Sequence, residues 1–315
     1  LLEKKTQRQI MILTLLMRWL LPLVVETNFR FIQLADPQFG QFAHLSGMSD
    51  HQIMTYKRSN LKVDKESKYY HLENETRLFS KAISIANDLA VSFVVICGDM
   101  VNTPGNQEQI NAVKTISQQL KTNIPIFWVP GNHDVGADTE VPTIESLIEY
   151  RKEFGEDYFS FTHNGYKFLV INSVVLAHPE LVIEECLDQM KFIEVEMNEA
   201  KDKNIPTVVF THHPLFLDNA NEGPMEPEWA PSPPGKAGYW TIPNPTRSDL
   251  IDLFERGNVQ AVFAGHWHRN NYARNGKMEM ITSGPVGYPL GEDPSGYRLV
   301  KIDNTQISHS YHKLN

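Results

Sequence analysis

The sequence predicts an α/β layered fold in which β-sheet is flanked by helices. From residue 29, short β-branched runs alternate with longer stretches of helical period. The last strand candidates follow one another without an intervening helix, so a mixed or antiparallel sheet closes the chain. A length of 315 residues, with 41% hydrophobic and 21% charged residues, suits one large or two small globular domains rather than a disordered chain.

In order, the strand candidates are "FRFIQL" (29–34), "SFVVIC" (92–97), "PIFWVP" (125–130), "KFLVIN" (167–172), "PTVVFT" (206–211), "VQAVFA" (259–264), "MEMITS" (278–283) and "YRLVKI" (297–302). Each is short, apolar and rich in β-branched or aromatic residues, the pattern of strands buried in a sheet. Helical period places helices near 70–90, 106–122, 140–153, 187–203 and 246–257. The last has Ser248 or Asp249 near its start and Gly257 just past its end.

Two segments break the rhythm and read as loop insertions. Residues 41–68 are polar, with both signs of charge and no clear period. Residues 218–245 are rich in proline and glycine, so neither helix nor strand is expected there. Trp229, Tyr239 and Trp240 argue against a plain linker.

Residues 1–28 form an apolar leader: mildly basic "LLEKKTQRQ", apolar "IMILTLLMRWLLPLVV", then "VET", which loosely resembles a cleavage site. That order is the layout of a signal peptide. Arg18 interrupts the apolar run, whose length is marginal for a membrane span. A cleaved signal, an anchor and a segment without a targeting role all remain open. Membrane contact is expected only if the leader is retained. Residues 29–315 then form a single domain. "NET" at 74–76 is a lone glycosylation sequon.

The net charge of −9 argues against nucleic acid as a partner, because phosphate contacts favour a basic excess. An acidic protein can still handle phosphate when bound metal ions supply positive charge. The two cysteines, Cys97 and Cys186, form neither a disulfide framework nor a CxxC site. Their scarcity leans towards a reducing compartment.

Chemistry collects after the strands. Asp36 and Gln38 follow the first, Asp99 the second, and Asn132, His133 and Asp134 the third. His212 and His213 follow "TVVFT", and His266 and His268 follow "QAVFA". The C-terminal edge of an α/β sheet is where ligands bind. In extended chain, residues two apart share a face, as Asp36 with Gln38 and His266 with His268. Pro214 holds His213 extended and turned away from its neighbour, so His213 reads as structural. Histidines 44, 51, 71, 163, 178, 309 and 312 have no spacing partners.

Carboxylate, imidazole and amide without thiolate suit Mn, Fe, Zn or Mg better than a structural zinc site. Asp36, Gln38, Asp99, Asn132, His212, His266 and His268 exceed the needs of one tetrahedral ion. A bridging carboxylate would let them hold two.

The order D-x-Q, GD, GNHD, HxP, GHxH resembles the calcineurin-like metallophosphoesterases over roughly residues 29–312. The usual first motif of that family is D-x-H. "ADPQFG" (35–40), "GEDYFSF" (155–161), "PLFL" (214–217) and "LGEDPSGYRLV" (290–300) look closer still to a branch described as serine/threonine protein phosphatases. The resemblance implies a layered sandwich of mixed β-sheets flanked by helices, and two divalent metal ions bridged by Asp99. Asp36, Gln38 and His268 would complete one ion's protein ligands, and Asn132, His212 and His266 the other's. His133 would face the leaving group, with Asp134 fixing its ring, while a hydroxide bridging the ions attacks phosphorus. Gly98, Gly131 and Gly265 would permit tight turns beside the ions.

The implied substrate is a phosphorylated protein or small phosphoester, and the implied compartment is the cytoplasm. Secretion is the alternative if residues 1–27 are a cleaved signal. The competing functions are a phosphodiesterase for nucleotides or lipid head groups, and an inactive metal-binding interaction protein with Gln38 as its lesion.

Overall fold

The computed structural model describes residues 28–58, 60–63, 71–136, 141–223, 229–232 and 238–314. Residues 1–27 of the leader lie outside them. Up to the middle of the chain the elements are β1 (Phe29–Leu34), α1 (Gln41–Ser46), α2 (Asp50–Arg58), α3 (Glu73–Leu89), β2 (Val94–Cys97), α4 (Gln107–Ser117), β3 (Ile126–Val129), α5 (Asn132–Val135) and α6 (Ile144–Phe154). There follow β4 (Phe159–His163), β5 (Tyr166–Val170), α7 (Ser173–Ala177), α8 (Ile183–Asp202), β6 (Thr207–Phe210), α9 (Thr246–Arg256) and β7 (Val259–Ala264). The chain ends in β8 (Asn271–Asn275), β9 (Met278–Thr282), β10 (Gly296–Asp303) and β11 (Gln306–Lys313).

Two mixed sheets result, ordered β11-β10-β1-β2-β3 and β4-β5-β6-β7-β9-β8. Strands β1, β2 and β3 are parallel, as are β5, β6, β7 and β9. The antiparallel members β4, β8 and the β10–β11 hairpin lie towards the sheet edges.

All eight expected strands form, and all but the edge strand β3 bury side chains on both faces. On β1, Phe29 and Phe31 join the cluster between the sheets, while Ile32 and Leu34 join the cluster that includes the helices. The inter-sheet layer is aromatic. Phe31 stacks on Phe93 at 4.6 Å and meets Phe168, Phe210 and Phe263 of the other sheet edge-on at 5.8, 5.6 and 6.0 Å. Outside, Leu78, Phe79 and Ala82 of α3 and Leu250 and Phe254 of α9 cover the opposite sheet faces.

The structure adds β4, β8 and β11 to the strands read from the sequence. These are edge strands whose side chains are nearly all half-exposed or exposed, so they lack an apolar run. Residues 41–68 are not wholly a loop, as their composition suggests, but fold in part as α1 and α2. Helix α2 buries Ile53 alone, which explains why no period is visible. Helix α6 starts at 144 rather than 140 because the Thr143 hydroxyl accepts the Ser146 N–H at 3.1 Å. The described residues of 218–245 contain neither helix nor strand. No helix among the described residues is long and apolar enough to cross a membrane.

Phe31 is fully buried. Phe31→Ala removes a ring shared by both sheets and is expected to cost about 3–5 kcal/mol, read as a lower denaturant midpoint.

Candidate metal centre

Parallel pairing within each sheet brings the C-terminal ends of β1, β2, β3, β6 and β7 to a common edge. Asp36, Gln38, Asp99, Asn132, His212, His266 and His268 all end there, none more than 3% exposed. The loops are stitched across the sheets. Asp36 N–H donates to Gly98 O (3.1 Å), Gln38 N–H to Asp99 O (2.8 Å) and Gly265 N–H to His212 O (3.0 Å). The His266 N–H, from the second sheet, donates to both Asp36 carboxylate oxygens at 3.1 Å.

The side chains do not reach the site through extended backbone, as the spacing suggests. Asp36, Gln38, Asp99, His266 and His268 have φ of 48°, 36°, 53°, 64° and 52°. The chain leaves β1, β2 and β7 through left-handed turns, a conformation costing about 1–3 kcal/mol per non-glycine residue. Gly98, at φ 85°, makes the close approach possible: a Cβ there would lie 2.1 Å from His212 Nδ1.

Two groups of ligand atoms lie within 4.8 Å of one another: Asp99 with His212 and His266, and Asp36 with Asp99 and His268. Asp99 belongs to both. His212 Nε2 is 3.4 Å from Asp99 Oδ1 and 2.9 Å from Asn132 Oδ1. His268 Nε2 is 3.4 Å from Asp36 Oδ1, and His266 Nδ1 is 3.2 Å from His212 Nε2.

Backbone carbonyls occupy the other ring nitrogens. Cys97 O is 2.9 Å from His212 Nδ1, Tyr288 O 2.7 Å from His268 Nδ1 and Tyr239 O 2.8 Å from His266 Nε2. Each carbonyl holds a proton on the nitrogen it faces and leaves the inner nitrogen a lone pair, the arrangement of metal-binding imidazoles. Gln38 Nε2 donates to Asn102 Oδ1 at 3.3 Å, while Gln38 Oε1 is buried with no hydrogen-bond partner among the described residues. Two carboxylates, three oriented imidazoles and an orphaned amide oxygen fit divalent cations.

Without cations, protons carry the charge. Burial would lower His212, but Asp99 and Asp36 outweigh it and push the imidazole up to about 9. Burial would raise Asp99, but His212 and His133 hold it low. Burial, reinforced by His212, pushes His266 down.

His133 is half-buried on α5 and belongs to neither group. Its N–H donates to Asp99 Oδ1 at 3.0 Å, and its ring Nδ1 lies 2.8 Å from Asn102 O. The Asp134 carboxylate does not fix this ring. It accepts the N–H groups of Met100 (2.9 Å), Val101 (3.3 Å) and Gly131 (2.8 Å), tying the β2 and β3 loops together. Burial and the Asp99 charge push Asp134 up, against those donors. His213 stays outside both groups, with Nδ1 2.8 Å from Ser173 Oγ.

The 218–245 segment reaches the centre through Tyr239 O and the buried Trp240 ring, 5.4 Å from His266. The buried Arg247–Glu222 pair, at 3.4 Å, ties the start of the segment to α9. Sequence reasoning missed Asn102, which orients both His133 and Gln38; its only signal was its place in "GDMVN". The carbonyls of Cys97, Tyr239 and Tyr288 have no sequence signal at all.

Fold and site together define a metal-dependent phosphoester hydrolase. The family model described as calcineurin-like phosphoesterase matches residues 29–270, and the chain belongs to that family. It is 31% identical over 294 residues to serine/threonine-protein phosphatase CPPED1 of Homo sapiens, covering 91% of this chain and 84% of the relative. The CPPED1 of Danio rerio is also 31% identical, over 297 residues, covering 91% and 85%. Among solved structures, a dimetal phosphatase from Danio rerio superposes with a TM-score of 0.53 at 13% identity, covering 89% of this chain and 98% of that one. A purple acid phosphatase from yellow lupin seeds gives 0.57 at 12%, covering 91% and 52%. These two share the fold.

In chelated protein the His212 proton stabilises the fold fully below pH 6.5, and that contribution is lost as pH rises through about 9. The melting temperature in EDTA is expected to fall across that window, and His212→Gln to flatten the fall.

Proposed function

We propose that this centre holds two divalent ions and hydrolyses phosphomonoesters, with phosphoserine and phosphothreonine of proteins as substrates. The observation that carries the reading is the membership of Asp99 in both ligand groups. In this reading Asp36, Gln38 and His268 complete one ion's protein ligands, and Asn132, His212 and His266 the other's. Bound there, the ions would neutralise phosphoryl oxygens and make a water nucleophilic at neutral pH.

The chain's own residues supply the rest. Asn102 O holds a proton on His133 Nδ1, which leaves Nε2 to face the substrate. A ring protonated at both nitrogens gives its Nε2 proton to the departing alkoxide, which otherwise leaves poorly. The His133 backbone N–H, donated to Asp99 Oδ1 at 3.0 Å, fixes the start of α5 against the centre. Asp134 acts as a positioning residue, by closing the loop that carries Asn132 and His133. The named relatives are protein serine/threonine phosphatases, and the same substrate class suits this chain. A cytoplasmic working compartment goes with that reading, and both cysteines are free and buried.

The test is elemental analysis with a substrate panel, on protein beginning near Asn28. Two metal ions per chain and turnover of phosphopeptides are expected. Turnover of diesters alone would overturn the monoesterase reading, and no turnover with Mn, Fe, Zn or Mg would favour a binding protein. His133→Ala is expected to keep its metal while kcat falls by about 10²–10⁴. Loss of metal would refute the role given to His133.

Gln38 offers a neutral, harder ligand where the family has an imidazole. It biases its ion towards Mn or Mg over Zn. Gln38→His, loaded from equimolar Mn and Zn, is expected to retain more zinc than the parent.

A further inference from the structure

Tyr288, whose carbonyl faces His268, also lines a cleft of about 560 Å³. That volume lies within the range of about 300–1,000 Å³ common to ligand sites. Its other walls come from the 41–68 insertion and the start of α3. Phe42 packs edge-on against the Tyr288 ring at 5.0 Å. The insertion is tied to the ligand-bearing loop: Lys62 N–H and the Arg269 guanidinium both donate to Leu290 O, at 2.9 and 2.8 Å. Arg269 directly follows His268, so cleft and metal centre are built on common backbone.

The lining is one-sided in charge. Lys57, Lys62 and Arg77 face the cleft, and no carboxylate is among its described lining residues. Lys62 pairs with Glu292 at the exposed rim. Lys57 and Arg77 have no ion-pair partner among the described residues. In a chain of 38 acidic and 29 basic residues, this local excess runs against the overall field and selects for anions. The apolar walls, including Phe42, Leu61 and Val63, suit side chains rather than a polyphosphate track.

We propose that this cleft receives the acidic segment of a phosphoprotein substrate: carboxylates, or a second phosphate, flanking the scissile phosphoserine. The inference rests on the phosphatase reading above and adds a sequence preference to it. Lys57 and Arg77 act as specificity residues by charge attraction, and Asn74 at the wall offers an amide for the peptide backbone.

The test compares kcat/KM for two phosphoserine peptides, one flanked by glutamates and one by uncharged residues. In the K57E/R77E variant the acidic-to-neutral ratio is expected to fall about tenfold, through KM, with less effect at high salt. The K57Q/R77Q variant is expected to fall between variant and parent, and both to melt like the parent. An unchanged ratio overturns the proposal. If the parent turns over no phosphopeptide, the phosphatase reading fails, and the cleft is decided by anisotropy of a labelled glutamate-flanked phosphonate peptide. Weaker binding to K57E/R77E sustains the proposal, and equal binding overturns it.

Discussion

Asp36 and Asp99 bring two buried carboxylates to the meeting edge of the sheets, where their ligand atoms lie within 4.8 Å of each other and of His268. Like charges so placed repel, and desolvation adds to the cost. The surroundings answer in kind. Backbone N–H groups of His266 and His133 point at the carboxylates, and imidazoles close the remaining sides. What is still needed is positive charge, which protons provide in the absence of ions and divalent cations would provide more fully.

Such a cluster requires a rigid support. Five of its residues sit in left-handed backbone that only over-determined surroundings sustain. The support is the aromatic layer between the sheets together with the helices outside them. Phe31, five residues before Asp36, locks β1 to the second sheet, which carries His212, His266 and His268. Packing and chemistry thus share the same strands: both faces of β1 make core, and its end makes the centre.

The central strands were legible because runs such as "FVVIC" and "TVVF" are buried on both sides. The antiparallel edge strands were not, since β11 alternates exposed and half-exposed polar residues, whereas the edge strand β3 keeps an apolar run. Helices α1 and α2 escaped notice because they are short and bury few side chains. At the site, the residue types and their strand-end positions could be read from spacing. The backbone conformation could not, because an i, i+2 pair looks the same in a strand and in a left-handed turn. Nor could the choice of Asn102 over Asp134 as partner of the His133 ring, which depends on how the β2 and β3 loops fold over each other.

The carbonyl of Tyr239 sets which nitrogen of His266 faces inward, yet Tyr239 belongs to the proline- and glycine-rich segment outside the sheets. The geometry of an imidazole at the centre therefore depends on a segment that belongs to neither sheet. Grafting that segment from another member to alter selectivity would also reset the donor strength of an imidazole. A replacement segment has to deliver a carbonyl at the same point in space to keep the same nitrogen turned inward.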